Sequence, residues 1–141
     1  MSPEVWNDAH SRATAVCTTL EHRLIDPLMV VGDTSDANTP YWTLELNGSQ
    51  SDRLGVGEVT NEETGSVLLS LFIPKGYFST PDALTFLWHM QQVFRVPDVD
   101  MPWPDGLFYD GHDEDFPSLD DRGNWYIFTL TVHYRYQTAI S

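Results

Sequence analysis

The chain has 141 residues, of which 41% are hydrophobic and 13% aromatic, enough for one domain with a real core and too apolar for a wholly disordered protein. Its 21 acidic residues against 7 basic ones give a formal net charge of -14, which disfavours binding along a phosphate backbone, a mode that relies on Lys and Arg displacing counterions. The single cysteine, Cys17, excludes an intramolecular disulfide and a multi-cysteine metal site, and no apolar run approaches the roughly 20 residues that span a bilayer, nor does a charged leader precede one. The expectation is a protein made and folded in a cytoplasm, without a membrane partner.

Residues 3–24 are predicted to form a helix, because Trp6, Ala9, Ala13, Val16, Cys17, Leu20 and Leu24 recur at spacings of three and four. Ser2 is the expected cap, Pro3 suits the first helical position, and Asp26-Pro27 closes the segment. Residues 28–31 form a short apolar strand candidate, and residues 32–40 a turn-rich loop. In residues 41–46, Trp42, Leu44 and Leu46 alternate with Thr43 and Glu45, which predicts a strand covering a core on one side.

Residues 53–59 and 66–73 are expected to be the arms of a β-hairpin, with 60–65 as its solvated tip. The second arm carries Val67, Leu69, Leu71 and Ile73 on one face and Leu68 and Phe72 on the other. That pattern suits a strand covered on both sides or one touching another subunit. Gly55 and Gly57 in the first arm permit a bulge or the close approach of another backbone. A second helix is predicted over 80–95, with Thr80 as cap, Pro81 in first position and the stripe Ala83, Phe86, Leu87, Met90 and Phe94. Residues 96–123 hold nine acidic residues and four prolines among Trp103, Phe108, Tyr109 and Phe116, and are expected to be an acidic aromatic loop or interface arm of the single 1–141 domain. The clearest strand is 125–136, in which Tyr126, Phe128, Leu130, Val132, Tyr134 and Tyr136 form the predicted core face. The fold class is therefore α+β: a mostly antiparallel or mixed sheet with a long hairpin, packed by an N-terminal and a central helix.

Chemistry-bearing patterns are sparse. Asp110-Gly111-His112-Asp113-Glu114-Asp115 is the densest set of potential oxygen ligands, yet its spacing departs from an EF-hand, so a solvated acidic loop is the simpler reading. The histidines His10, His22, His89, His112 and His133 are spread over different elements without an HExxH pattern. Cys17 lies on the apolar stripe of the first helix, a poor place for a nucleophile, and Gly55-Val56-Gly57 is followed by no GK[ST]. No catalytic or metal residue and no cofactor is expected. The acidic surface serves solubility or, beside DNA, a repulsive wall past which the polymer slides.

The order helix, strands, polar hairpin, Phe72-Ile73-Pro74-Lys75-Gly76, helix, acidic loop and aromatic strand 125–136 resembles the tail-terminator (tail completion) family of long-tailed bacteriophages. The resemblance implies a non-enzymatic α+β protein of the virion. It would form a hexameric ring on the tail tube, end tube polymerisation and join the tube to the head-completion or neck protein, with DNA only passing through the lumen. A ring closes by heterologous contacts between two different patches, here expected to include Arg53, Leu54 and Val56 of the hairpin and Trp103, Phe108 and Tyr109 of the arm. Those aromatics equally suit fastening the loop to its own domain. A neck or head–tail connector is the nearest alternative. An acidic inhibitor of a nucleic-acid-binding protein and a metal-dependent hydrolase built on the acidic loop are further ones.

Overall fold

The computed structural model describes residues 2–26, 28, 39–54, 60–95, 97, 100–115, 117–119 and 124–139. Two helices lie on a six-stranded mixed sheet, an α+β architecture in the order α1 (Pro3–Leu20), β1 (Arg23–Ile25), β2 (Tyr41–Leu54), β3 (Thr60–Pro74), α2 (Thr80–Arg95), β4 (Leu107–Glu114), β5 (Ser118–Leu119), β6 (Trp125–Ala139). The sheet runs β1-β2-β3-β6-β4, with β5 also on β6; among the described residues β1–β2 is the one parallel pairing.

Helix α1 stops at Leu20, one turn before the expected end. Glu21 adopts a left-handed conformation with φ 59°, and its N–H returns to the carbonyls of Cys17 and Thr18. No glycine marks this stop, and Leu24, which fits the helical period, enters the sheet as the central residue of β1 opposite Trp42. Ser2 occupies the N-cap position, but its hydroxyl donates to Glu63 at 3.1 Å and accepts from no N–H of the first helical turn. In α2 the cap is Ser79 and not Thr80. Asp82 accepts from the Ser79 N–H at 3.0 Å, while the Ser79 hydroxyl accepts from the Asp82 N–H at 3.4 Å, a reciprocal capping box. Those bonds hold the Asp82 carboxyl below its usual range.

The hairpin is longer than its apolar residues suggest. Residues 60–65, expected as its tip, lie inside β3 and pair with residues 49–54 of β2, so the connection falls within 55–59, outside the described residues. Polarity misled because a strand hydrogen-bonded on both sides needs no apolar side chains: β6 pairs with β3 all the way from Pro74↔Trp125 to Thr60↔Ala139. A bulge between Leu46 and Ser49, with Gly48 at φ 75°, brings β2 against Gly65, where a Cβ would lie 2.5 Å from the Gly48 carbonyl oxygen. Of the strand expected at 28–31, only Leu28 is described, as an exposed turn residue.

Residues 96–123 are likewise not one loop. β4 and β5 lie within them and cover one edge of β6, supplying backbone partners that a strand of that length would otherwise lack. Leu107 and Tyr109 are buried while Phe108 and Asp110 face out, the alternation of an ordinary strand, which a bulge before Gly111 then breaks.

The core lies between the helices and one face of the sheet. Trp42 and Leu44 of β2, Val67, Leu69 and Leu71 of β3, and Leu130, Val132 and Tyr134 of β6 meet Val5, Ala9, Ala13, Val16 and Cys17 of α1 and Ala83, Leu87, Met90 and Phe94 of α2. Each large aliphatic side chain buried there contributes about 1.5–3 kcal/mol relative to exposure. Tyr126, expected on this face, lies at its rim and is 37% exposed; Leu46 is also outside the helical cover.

Candidate assembly surfaces

At one end of the sheet, residues 49–54, 60–65 and 134–139 continue as a ribbon of paired strands, flanked by β4 along 134–136. Its outer strand is β2. Because β1 pairs only with Tyr41, Trp42 and Thr43, residues 44–54 carry no strand on their outer side among the described residues. Arg53 and Leu54 are the last residues of this edge, opposite Asn61 and Thr60, while Val56 lies outside the described residues. The edge is polar and bulged, and Asp52 and Arg53 are its only charges after Glu45.

The ribbon is tied to the body by Glu63. This carboxylate is 6% exposed and accepts from the Ser2 N–H at 2.9 Å, the Ser2 hydroxyl at 3.1 Å and the Tyr134 hydroxyl at 3.0 Å. An anion at the start of α1 is also favoured by the helix dipole. Tyr134 is pushed above the usual phenol range, first by burial and then by its bond to Glu63. Nothing in the polar run Thr60 to Gly65 distinguished Glu63 beforehand, since its partners lie on α1 and β6.

The aromatics of the arm divide. Tyr109 is 5% exposed, its ring edge-on to Phe94 at 5.0 Å and its hydroxyl donating to Asp8, so it belongs to the protomer's own core and offers a partner almost no surface. Trp103 packs partly buried against the same core, edge-on to Tyr109 at 5.8 Å. Phe108 faces the other way. It is 37% exposed on the far face of β4, with the Arg135 guanidinium 5.1 Å from its ring centroid. Of the arm residues expected at an interface, Phe108 alone presents its ring outward.

Arg12 explains how the arm is held. It is 2% exposed and donates to Asp8 at 2.8 Å and to the carbonyls of Val93, Met101 and Pro102 at 2.9, 3.1 and 3.0 Å, joining α1, the end of α2 and the segment leading into β4. Buried charge is tolerated only when paired and hydrogen-bonded, and the guanidinium fork meets four acceptors here. A signal existed in the sequence: Arg12 falls on the α1 stripe, three residues after Ala9 and four before Val16.

The acidic side chains of β4 are engaged with neighbouring elements. Asp110 accepts from Arg135 at 2.9 Å, Asp113 meets His133 Nε2 at 2.7 Å, and Glu114 accepts from Gln91 of α2. Among the described residues, no three His, Cys, Asp or Glu side chains gather as metal ligands. A shallow concavity of about 560 Å³ lies over the β2 bulge, walled by Gly48, Thr64, Ser66, Asp110, His133 and Arg135. Asp110 and Arg135 in its wall pair with each other, and His133 meets Asp113. Burial pushes the Cys17 thiol up to about 12, which keeps it protonated and unreactive.

No family model matches the chain, and no curated protein matches it either.

Proposed function

We propose that the protein is a non-enzymatic structural component of a phage virion that closes into a ring, caps the tail tube and joins it to the neck. The carrying observation is the edge of β2 over residues 44–54, which bears no further strand among the described residues. Unpaired strand edges recruit further strands, and natural monomers shorten or block them. This edge spans most of a 14-residue strand and carries no lysine or proline. An edge and a differently shaped arm on the same protomer provide the two unlike patches that a closed heterologous ring requires. The resemblance in element order, together with the ribbon, favours the terminator over the hydrolase reading, because the acidic side chains of β4 serve strand and helix contacts.

A double variant tests the proposal. Leu46 and Gln50 are both exposed on the edge strand, so Leu46→Lys with Gln50→Lys leaves the core untouched and places two cations where an incoming strand must dock. Light scattering with purified tail-tube protein is expected to give a ring on capped tubes for the wild type, and a folded protein that neither closes nor caps for the variant. Capping undiminished by the double substitution overturns the role of the edge. A wild-type protein that never binds tubes overturns the terminator reading.

A further inference from the structure

The concavity of about 560 Å³ over the β2 bulge opens where two glycines leave out side chains. A Cβ on Gly48 would meet nothing within 4 Å, whereas one on Gly65 would fall 2.5 Å from the Gly48 carbonyl oxygen and 2.8 Å from the Tyr134 hydroxyl. The bulge therefore bares strand backbone at this point, a place where another molecule can approach closely.

No aliphatic side chain lines the recess. Apart from the two glycines, every lining residue carries a side-chain hydrogen-bonding group. Several of those groups are uncommitted. The side chains of Asn47 and Thr64 make no hydrogen bond among the described residues. Arg135 spends only its Nε on Asp110, at 2.9 and 3.2 Å, which leaves the two terminal amino groups of its guanidinium without a hydrogen-bond partner among the described residues. His133 engages Asp113 through Nε2 at 2.7 Å and keeps Nδ1. Strand register gathers these groups, since Thr64 stands between Gln50 and Arg135, and Ser66 lies beside His133. Phe108, opposite Arg135 on β4, adds a ring that is 37% exposed.

We propose that this recess is a binding site for a neutral mono- or disaccharide. Charge and polarity select that ligand. An apolar molecule finds no aliphatic wall to bury against. An anion is repelled by a protein of net charge -14, while a cation meets the guanidinium of Arg135, whose partner Asp110 is already neutralised by it. A sugar carries no charge, and its hydroxyls each donate and accept, so a neighbouring pair of them matches the planar guanidinium or the Asn47 amide. Its C–H face suits the ring of Phe108. The volume falls within the range of small-ligand sites. This assignment does not rest on the tail-terminator reading, because one protomer supplies the whole recess.

The test is an amide NMR titration of the free protein with lactose, maltose and diacetylchitobiose, with sialyllactose as the anionic comparator. Shifts are expected at residues 47–50, 64–66 and 133–135, with a Kd on the order of 1 mM for at least one neutral sugar and no change in it between about 0.05 and 0.5 M sodium chloride. Asn47→Ala combined with Thr64→Val removes two hydrogen-bonding side chains, neither of them buried, and is expected to weaken binding about tenfold or more while the rest of the spectrum stays in place. Gln50→Ala, at an exposed position of the same wall, repeats the test without touching β3 and is expected to weaken binding several-fold. Silence from all three neutral sugars, shifts centred elsewhere, sialyllactose bound more tightly than lactose, affinity that varies with salt, or affinity unchanged in both variants overturns the assignment. Tube capping is measured on a different sample, so failure of this site and failure of the β2 edge are read separately.

Discussion

Two single residues, Glu21 and Arg12, decide where α1 ends and what it holds. Glu21 turns the chain from helix to strand in a left-handed conformation at φ 59°, which costs a residue with a Cβ about 1 kcal/mol or more and costs glycine little. Glu21→Gly is accordingly expected to stabilise the fold by about 0.5–1 kcal/mol, the gain being partly offset by the freer unfolded chain, and urea denaturation measures it. A lower midpoint would show that the Glu21 side chain makes a contact worth more than the strain. Arg12 could be read from the helical stripe as an anomaly, a charge on the face that meets the core. That it grips the carbonyls of Val93, Met101 and Pro102 could not, because those acceptors lie 81 to 90 residues away in sequence.

At the scale of elements, the junction of α1 with β2 and α2 turns on His22. Trp42 Nε1 donates to its Nδ1 at 3.0 Å, Phe86 meets its ring edge-on at 4.6 Å, and burial brings its pKa down to about 4. The folded protein holds this imidazole neutral, whereas the unfolded chain protonates it near its ordinary value of about 6.5. Its contribution is thus complete above that value and is lost as pH falls toward 4. Allowing for its partial exposure, the loss is on the order of 2 kcal/mol. Unfolding measured between about pH 6.5 and 5, above most carboxylate titrations, is expected to show stability falling in the wild type and level in His22→Gln. A level wild-type profile would refute this. Elements with strong periodicity, α1, α2 and the β6 core face, were legible in the chain. β4 and the distal half of β3 were not, since Asp110, Asp113, Glu62 and Glu63 imitate loop composition, and their strand character comes from pairing with β6.

Over the whole molecule, a formal charge of -14 on 141 residues is a standing self-repulsion within the compact state. Only a few pairs among the described residues offset it, including the exposed Arg135–Asp110 pair and the buried Arg12–Asp8 pair. Screening is therefore expected to outweigh the loss of ion pairs, so that the melting temperature rises between about 0.05 and 0.5 M sodium chloride, where the Debye length shrinks from roughly 14 to 4 Å. Calorimetry at dilutions where the protein is monomeric separates this from association. A falling melting temperature would mean that the few pairs dominate.

The sequence by itself determined the fold class, the two helices and most of the side chains of β2, β3 and β6 that face the core, Leu46 and Tyr126 excepted, because helical and strand periodicities are local records of burial. It also determined the net charge of -14. Only the tertiary structure decided that Thr60 to Gly65 is strand, that Tyr109 belongs to the core while Phe108 faces outward, and that Glu63 and Arg12 are the buried ionic ties. Each of those outcomes rests on partners distant in sequence, and no local pattern encodes a hydrogen bond whose acceptor is supplied by another element.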